Sequence, residues 1–200
     1  MLMKNINYFF FSLLIIVFNS QAQNSNKQLY SDTSTYYSSK TTDLKCKGIP
    51  DSIFNMKSIK RFVVIGEDCD VVLHDEKGDI INMCCVLGEI PAAIGKLSNL
   101  EVLEVRLNGL DSLPKAILNC QKLRIIDLTD NNVTNIDNIT ALKNLEELYL
   151  FGCHLTKLPD NIGELKKLKT LGLTGNYRIE QTEITRIQKA LPNCRVVFER

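Results

Sequence analysis

Leu100-x-x-Leu103-x-Val105-x-x-Asn108-x-Leu110-x-x-Leu113-Pro114 is the stretch whose reading decides the fold, because the chain writes it again. Leu123-x-x-Ile126-x-Leu128-x-x-Asn131-x-Val133-x-x-Ile136 is the second copy, and Leu145-x-x-Leu148-x-Leu150-x-x-Cys153-x-Leu155-x-x-Leu158-Pro159 the third. Leu168-x-x-Leu171-x-Leu173-x-x-Asn176 opens a fourth, and the starting leucines are 23, 22 and 23 residues apart. The alternation Leu103-x-Val105 is that of a short strand with one buried face. One such unit cannot bury its apolar edge alone, so the copies must stack, and stacked strands make a parallel sheet. Asn108, Asn131 and Asn176 recur where the chain leaves the strand, and an amide there has donors and acceptors for the turn's backbone. Pro114 and Pro159 begin an outer segment from which Ile117 and Ile162 point inward. In the second copy Asp137 stands where the proline is expected, which predicts a differently shaped outer segment.

These residues resemble the leucine-rich-repeat family, and the Leu-Pro-x-x-Ile closings resemble its bacterial and plant resistance-like members. The resemblance covers roughly residues 46–200. It implies an α/β fold: a right-handed solenoid of about six turns with a parallel concave β-sheet, short helical or irregular convex segments and a C-terminal helix-strand cap. It also implies recognition of another protein through the concave surface.

Upstream, Ile90-Pro91-Ala92-Ala93-Ile94 matches the closing of the first quoted copy, 23 residues back. Ile49-Pro50-Asp51-Ser52-Ile53 matches again, with Met56 and Ile59 following and Phe62 and Val64 as inward strand residues. Ile49 and Ile90 are 41 residues apart, neither one repeat nor two, so an irregular insertion is expected over 66–88. Within it, Val71–His74 and Ile80–Met83 flank Asp75-Glu76-Lys77-Gly78-Asp79 in the pattern of a hairpin. Regular repeats are expected over 97–179 and a cap over 180–200. In the cap Ile184, Ile187 and Leu191 fall at helical spacing before Pro192, and Arg195–Phe198 reads as a last edge strand.

The N-terminal region is different material. Lys4 is its only charge through residue 22, an apolar run covers Tyr8–Phe18, and Ser20-Gln21-Ala22 supplies small residues before a cut. That order predicts a secretory signal peptide over 1–22, with an uncleaved anchor as the alternative. The expected location is secreted, periplasmic or cell-surface, without membrane insertion after cleavage. Residues 23–45 read as a flexible spacer, since eight of the twelve residues from Ser31 to Thr42 are Ser or Thr.

Twenty-four basic residues oppose 23 acidic ones, which leaves no field for attracting nucleic acid. Seven cysteines without a Cys-x-x-Cys give poor support for zinc. In repeat register Cys120 takes the inward place of Leu97, Leu142 and Leu165, and Cys153 the ladder place of the asparagines. Cys46 and Cys69 fall at equivalent positions of adjacent turns, so a bridge there, a Cys69–Cys84 bridge and buried thiols all remain open. His74 and His154 have no partner motif, and neither a phosphate loop, a nucleophile elbow nor a His-Glu-x-x-His pattern occurs. No catalytic, metal or cofactor-binding residue is therefore expected. Asn132-Val133-Thr134 and Asn138-Ile139-Thr140 match the short glycosylation pattern without further support.

What remains is the face of the strands turned away from the leucines. Its candidate partner-binding residues are Val102, Glu104 and Arg106; Ile125, Asp127 and Thr129; Glu147, Tyr149 and Phe151; and Thr170 and Thr174, with Gly172 between the last two. Tyr149 and Phe151 stand out, because large aromatics on a surface carry contact energy when something covers them. Packing on each other or on a neighbouring strand is the alternative. The sequence thus predicts a non-enzymatic module for another protein, with a carbohydrate-binding or cell-surface structural role as second reading.

Overall fold

The leucine columns of the sequence become one continuous core. Leu100, Leu123, Leu145 and Leu168 stack as one column, and Leu103, Ile126, Leu148 and Leu171 as the next, all at most 4% exposed. Each side chain so buried contributes about 1.5–3 kcal/mol against leaving it in water, so the column stacking dominates the stability of the array. The computed structural model describes residues 36–40, 49, 51–66, 72–74, 80–82 and 87–199.

Among the described residues nine strands and one α-helix order the chain. They are β1 (Tyr36–Lys40), β2 (Arg61–Ile65), β3 (Val72–His74), β4 (Ile80–Asn82) and β5 (Val102–Arg106), followed by β6 (Ile125–Asp127), β7 (Glu147–Tyr149), β8 (Thr170–Gly172), the helix α1 (Gln181–Ala190) and β9 (Arg195–Val197). The main sheet runs β1-β2-β5-β6-β7-β8-β9. From β2 to β9 every pairing is parallel and in register: Phe62, Leu103, Ile126, Leu148, Leu171 and Val196 lie side by side. Tyr36–Lys40, inside the stretch read as a spacer, is therefore a strand placed at the end of the sheet beside β2.

The insertion contains the hairpin its sequence suggests. β3 and β4 pair antiparallel as a separate two-stranded sheet, Val72 opposite Asn82 and His74 opposite Ile80. Residues 1–22, and with them the signal peptide, lie outside the described residues, as do Cys46, Cys69, Cys84 and Cys85.

The returning segments are 3-10 turns at Asp51–Asn55, Ala92–Lys96, Lys115–Asn119, Asp137–Ala141 and Ile162–Glu164. Pro91 and Pro114 precede two of them with φ of −58° and −65°, the angles their rings impose. Two sequence expectations change here. Ile136, not Asp137, occupies the proline's place: its carbonyl accepts the Ile139 N–H as that of Pro114 accepts the Ile117 N–H. The 22-residue repeat drops its missing residue between Asn131 and Ile136, so the segment keeps the same five-residue shape as Lys115–Asn119. Asn135 and Asp137 fasten it, the Asp137 N–H donating to Asn135 Oδ1 at 2.6 Å and Asn135 Nδ2 to Asp137 Oδ2 at 2.6 Å. In the first segment Phe54 is fully buried while Ile53 packs against the core only partly buried, and Met56, in the place that Leu97 takes one turn on, is 45% exposed.

The asparagine ladder is built as its chemistry requires. Asn131 Nδ2 donates to the carbonyls of Val105 at 2.7 Å and Leu128 at 2.8 Å, while its Oδ1 accepts the N–H groups of Asn108 and Leu110. Asn176 repeats this toward Leu150, Leu173 and Leu155. Just before each rung the backbone takes a left-handed turn: φ is 56° at Leu107, 56° at Asp130, 59° at Gly152 and 86° at Gly175. The helix α1 covers the end of the core with Ile184 and Ile187, and Arg186 ties it back to the carbonyls of Leu158 and Asp160.

Candidate functional site: the outer face of the sheet

Parallel register lays the outward residues of the sheet in rows. The first row is Arg61, Val102, Ile125, Glu147, Thr170 and Arg195, and the second Val63, Glu104, Asp127, Tyr149, Gly172 and Val197. Ile65 and Arg106 begin a third. Bonds from the Leu107, Asp130 and Gly152 N–H groups to the Thr129, Phe151 and Thr174 carbonyls continue it. All the residues singled out in sequence stand on this one face. Arg61, Val63 and Arg195 belong to it as well; alternation with the inward Phe62 and Val64 is the signal that marks the first two, whereas at the cap the repeat register is lost.

Not all of the face is accessible. Val102 is 1% exposed, Thr129 5% and Thr174 6%. Each is small and stands beside bulkier residues on strands about 4.8 Å away, as Val102 does between Arg61 and Ile125. Thr129 spends its hydroxyl on Asp127 Oδ1 at 2.6 Å, and Thr174 Oγ1 accepts the Glu199 N–H at 3.1 Å. These three line the floor and offer a ligand little surface.

The half nearer the N-terminus is charged. Arg61 Nη2 donates to Glu104 Oε1, Arg106 Nη2 stands 3.9 Å from Glu104 Oε2, and Arg106 Nε stands 3.8 Å from Asp127 Oδ2. All four side chains are only 12–14% exposed. Burial raises the carboxyls of Glu104 and Asp127 above the usual range, and the arginines beside them pull them back.

The middle is aromatic. Tyr149 and Phe151 stack with ring centroids 5.8 Å apart and planes 24° from parallel. The Tyr149 hydroxyl donates to Glu147 Oε2 at 2.8 Å, and burial, then Glu147, pushes its pKa well above the ordinary tyrosine value, so it stays protonated. Phe151 lies over Gly172 of the next strand, where an added Cβ would come within 2.3 Å of the ring. Both rings are half-buried. They therefore pack on each other and on a neighbouring strand, and still present area outward.

A second surface lies where the strands begin, along Glu101, Lys122, Arg124, Asn144, Glu146 and Lys167. Its groups are tied across repeats: Lys122 to Asn99 Oδ1 at 2.6 Å, Lys167 to Asn144 Oδ1 at 2.7 Å, and both Arg124 and Lys169 to Glu146. Two rungs of such ties brace the stack.

The three described thiols behave as packing groups. Cys120 and Cys153 are buried, with hydrogen bonds at 3.4 Å to the carbonyls of Ile94 and Leu128. Burial pushes them up to about 11 and about 12, and Cys194 to about 11, so all three remain protonated and poor nucleophiles at neutral pH. Among the described residues no group of His, Cys, Asp and Glu is placed to hold a metal ion, and no helix is long and apolar enough to cross a membrane.

Leucine-rich-repeat family models match residues 98–155 and 143–189. The fold is a leucine-rich-repeat solenoid. A leucine-rich-repeat protein of Leptospira interrogans superposes with a TM-score of 0.59 at 26% identity, over 75% of this chain and 40% of that one. The Listeria monocytogenes internalin C2 gives a TM-score of 0.52 at 18% identity over 76% and 70%, which speaks for the fold alone. The volume-regulated anion channel subunit LRRC8A of Homo sapiens is 36% identical over 129 residues, 63% of this chain and 15% of that protein. The chain thus spans well under half the length of both the channel subunit and the Leptospira protein. Leucine-rich-repeat solenoids are in general non-enzymatic protein-interaction modules that present the outward sheet face as a concave surface.

Proposed function

We propose that the protein is an exported, non-enzymatic binding module that takes another protein on its concave face. The observation that carries this reading is the stacked, half-buried pair Tyr149–Phe151 at the centre of that face. Rigid aromatics held in place before contact supply area at small entropic cost, which is the composition of binding hot spots. The Arg61–Glu104–Arg106–Asp127 network beside them supplies charges that set orientation. Export rests on the order of Lys4, the apolar run to Phe18 and Ser20-Gln21-Ala22.

A carbohydrate ligand is the second reading, favoured by ring faces standing beside the carboxylates of Glu147 and Asp127. One experiment separates the two. The protein and its Y149A/F151A variant are used as paired baits on a glycan array and on extracts of surface and secreted proteins. A protein retained by the first and lost by the second supports the proposal. Retention of glycans alone shifts the reading to carbohydrate, and equal retention by both baits overturns the concave face as the site.

A further inference from the structure

Among the described residues β9 closes the sheet at one side, and its backbone groups divide by parity. The Arg195 N–H donates to the Lys169 carbonyl at 2.8 Å, the Val197 carbonyl accepts the Leu173 N–H at 2.8 Å, and the Glu199 N–H reaches Thr174 Oγ1 at 3.1 Å. Residues 195, 197 and 199 thus face β8, and strand alternation turns the N–H and C=O groups of Val196 and Phe198 toward the open edge. An edge of this kind is a template for another strand.

The sequence of that edge is complementary to its own reverse. Read outward from Val197, Arg195 mirrors Glu199 and Val196 mirrors Phe198. We propose that β9 is a dimerisation edge, on which a second copy of this chain pairs antiparallel about Val197. In that register Val196 stands opposite the second copy's Phe198 as a hydrogen-bonded pair, which uses the edge-facing backbone groups of both. Arg195 stands opposite Glu199 of the other copy as a non-hydrogen-bonded pair, where side chains approach most closely. Two cross-strand ion pairs then flank the two-fold axis on the concave side. Beneath them the half-buried Val196 and Phe198, already packed against the core, meet their counterparts. Such an isologous contact joins the two concave sheets into one. It is small, so a weak dimer is expected.

The test uses the full chain in sedimentation equilibrium up to about 1 mM, the range a small interface demands. The wild type is expected to dimerise reversibly. R195E and E199R, each of which sets like charges opposite one another, are expected to weaken the dimer by about tenfold or more. The double variant R195E/E199R exchanges the partners and is expected to regain it. As an independent readout, V197C places two thiols on the axis at a Cα separation of about 4.5 Å, within disulfide reach, and mild oxidation is expected to yield a peptide linked through residue 197 of both copies. A wild type that stays monomeric overturns the proposal, and so does a dimer indifferent to the single variants, an unrecovered double variant, or V197C without that linked peptide.

Discussion

Phe151 occupies the space that any side chain at Gly172 would need: a Cβ there would fall 2.3 Å from the ring's Cζ and 2.6 Å from its Cε2. The glycine is thus the floor on which the ring, and through it the stack with Tyr149, is positioned. G172V is expected to displace the ring and destabilise the protein by about 1–3 kcal/mol, the usual range for overpacking. In an F151A background the same change is expected to stabilise, because a β-branched residue then gains a pleated surface without a clash. Thermal unfolding of the four proteins gives the coupling, and an additive result would show that ring and glycine do not depend on each other.

The polar ladder has one weak rung. Asn131 makes buried bonds on both sides with oxygen and nitrogen, whereas Cys153 has only its sulfur, a weak donor to the Leu128 carbonyl at 3.4 Å and a weak acceptor from the Asn131 N–H. N131A is expected to cost about 2–4 kcal/mol, since it strands several backbone partners at once. C153N, nearly equal in volume, is expected to gain about 1 kcal/mol, seen as a rise in Tm of about 2–4 °C. A fall in Tm for C153N would mean that the thiol's packing outweighs the missing hydrogen bonds.

Leu107 takes a left-handed φ of 56° at a position where the third and fourth repeats place Gly152 and Gly175. That conformation costs a side-chain-bearing residue about 1–2 kcal/mol, only partly offset by the greater freedom glycine has in the unfolded chain. L107G is expected to raise stability by about 0.5–1 kcal/mol in chemical denaturation, and a loss of that size would show that the half-buried side chain does more than its backbone costs.

What the sequence made legible is what repeats. The leucine columns, the asparagine rungs and the helical spacing of Ile184 and Ile187 carry the fold, because stacking turns one residue's role into a column of equivalents. The left-handed turn escaped notice because leucine and aspartate fill it in two of four copies, so composition did not mark it. Ile136 was misplaced for a related reason: a deletion between Asn131 and Ile136 is invisible when the residues on either side are aligned by type. On the candidate face, alternation tells which side a residue faces but not what its neighbours cover, and so Val102, Thr129 and Thr174 were grouped with residues that remain accessible.

Glu146 bridges Arg124 and Lys169, whose hydrogen bonds lower its carboxyl from 4.5 to about 2. A depressed folded-state value stabilises the protein above the unfolded value and ceases to do so as pH falls toward the folded one. The Tm difference between wild type and E146Q is therefore expected to be full at pH 6 and to shrink between about 4.5 and about 2. A difference independent of pH would mean that the side chain contributes through packing alone.

The central claim is that the concave aromatics bind rather than merely pack. The measurement that tests it most directly is calorimetric titration of the recovered partner into wild type and Y149A/F151A, with thermal unfolding of both run alongside. The account predicts affinity weaker by about 2 kcal/mol or more, roughly thirtyfold, with the cooperative unfolding transition retained, because both rings lie outside the leucine core. Unchanged affinity together with a much lower Tm would contradict it, and would make Tyr149 and Phe151 packing residues of the sheet.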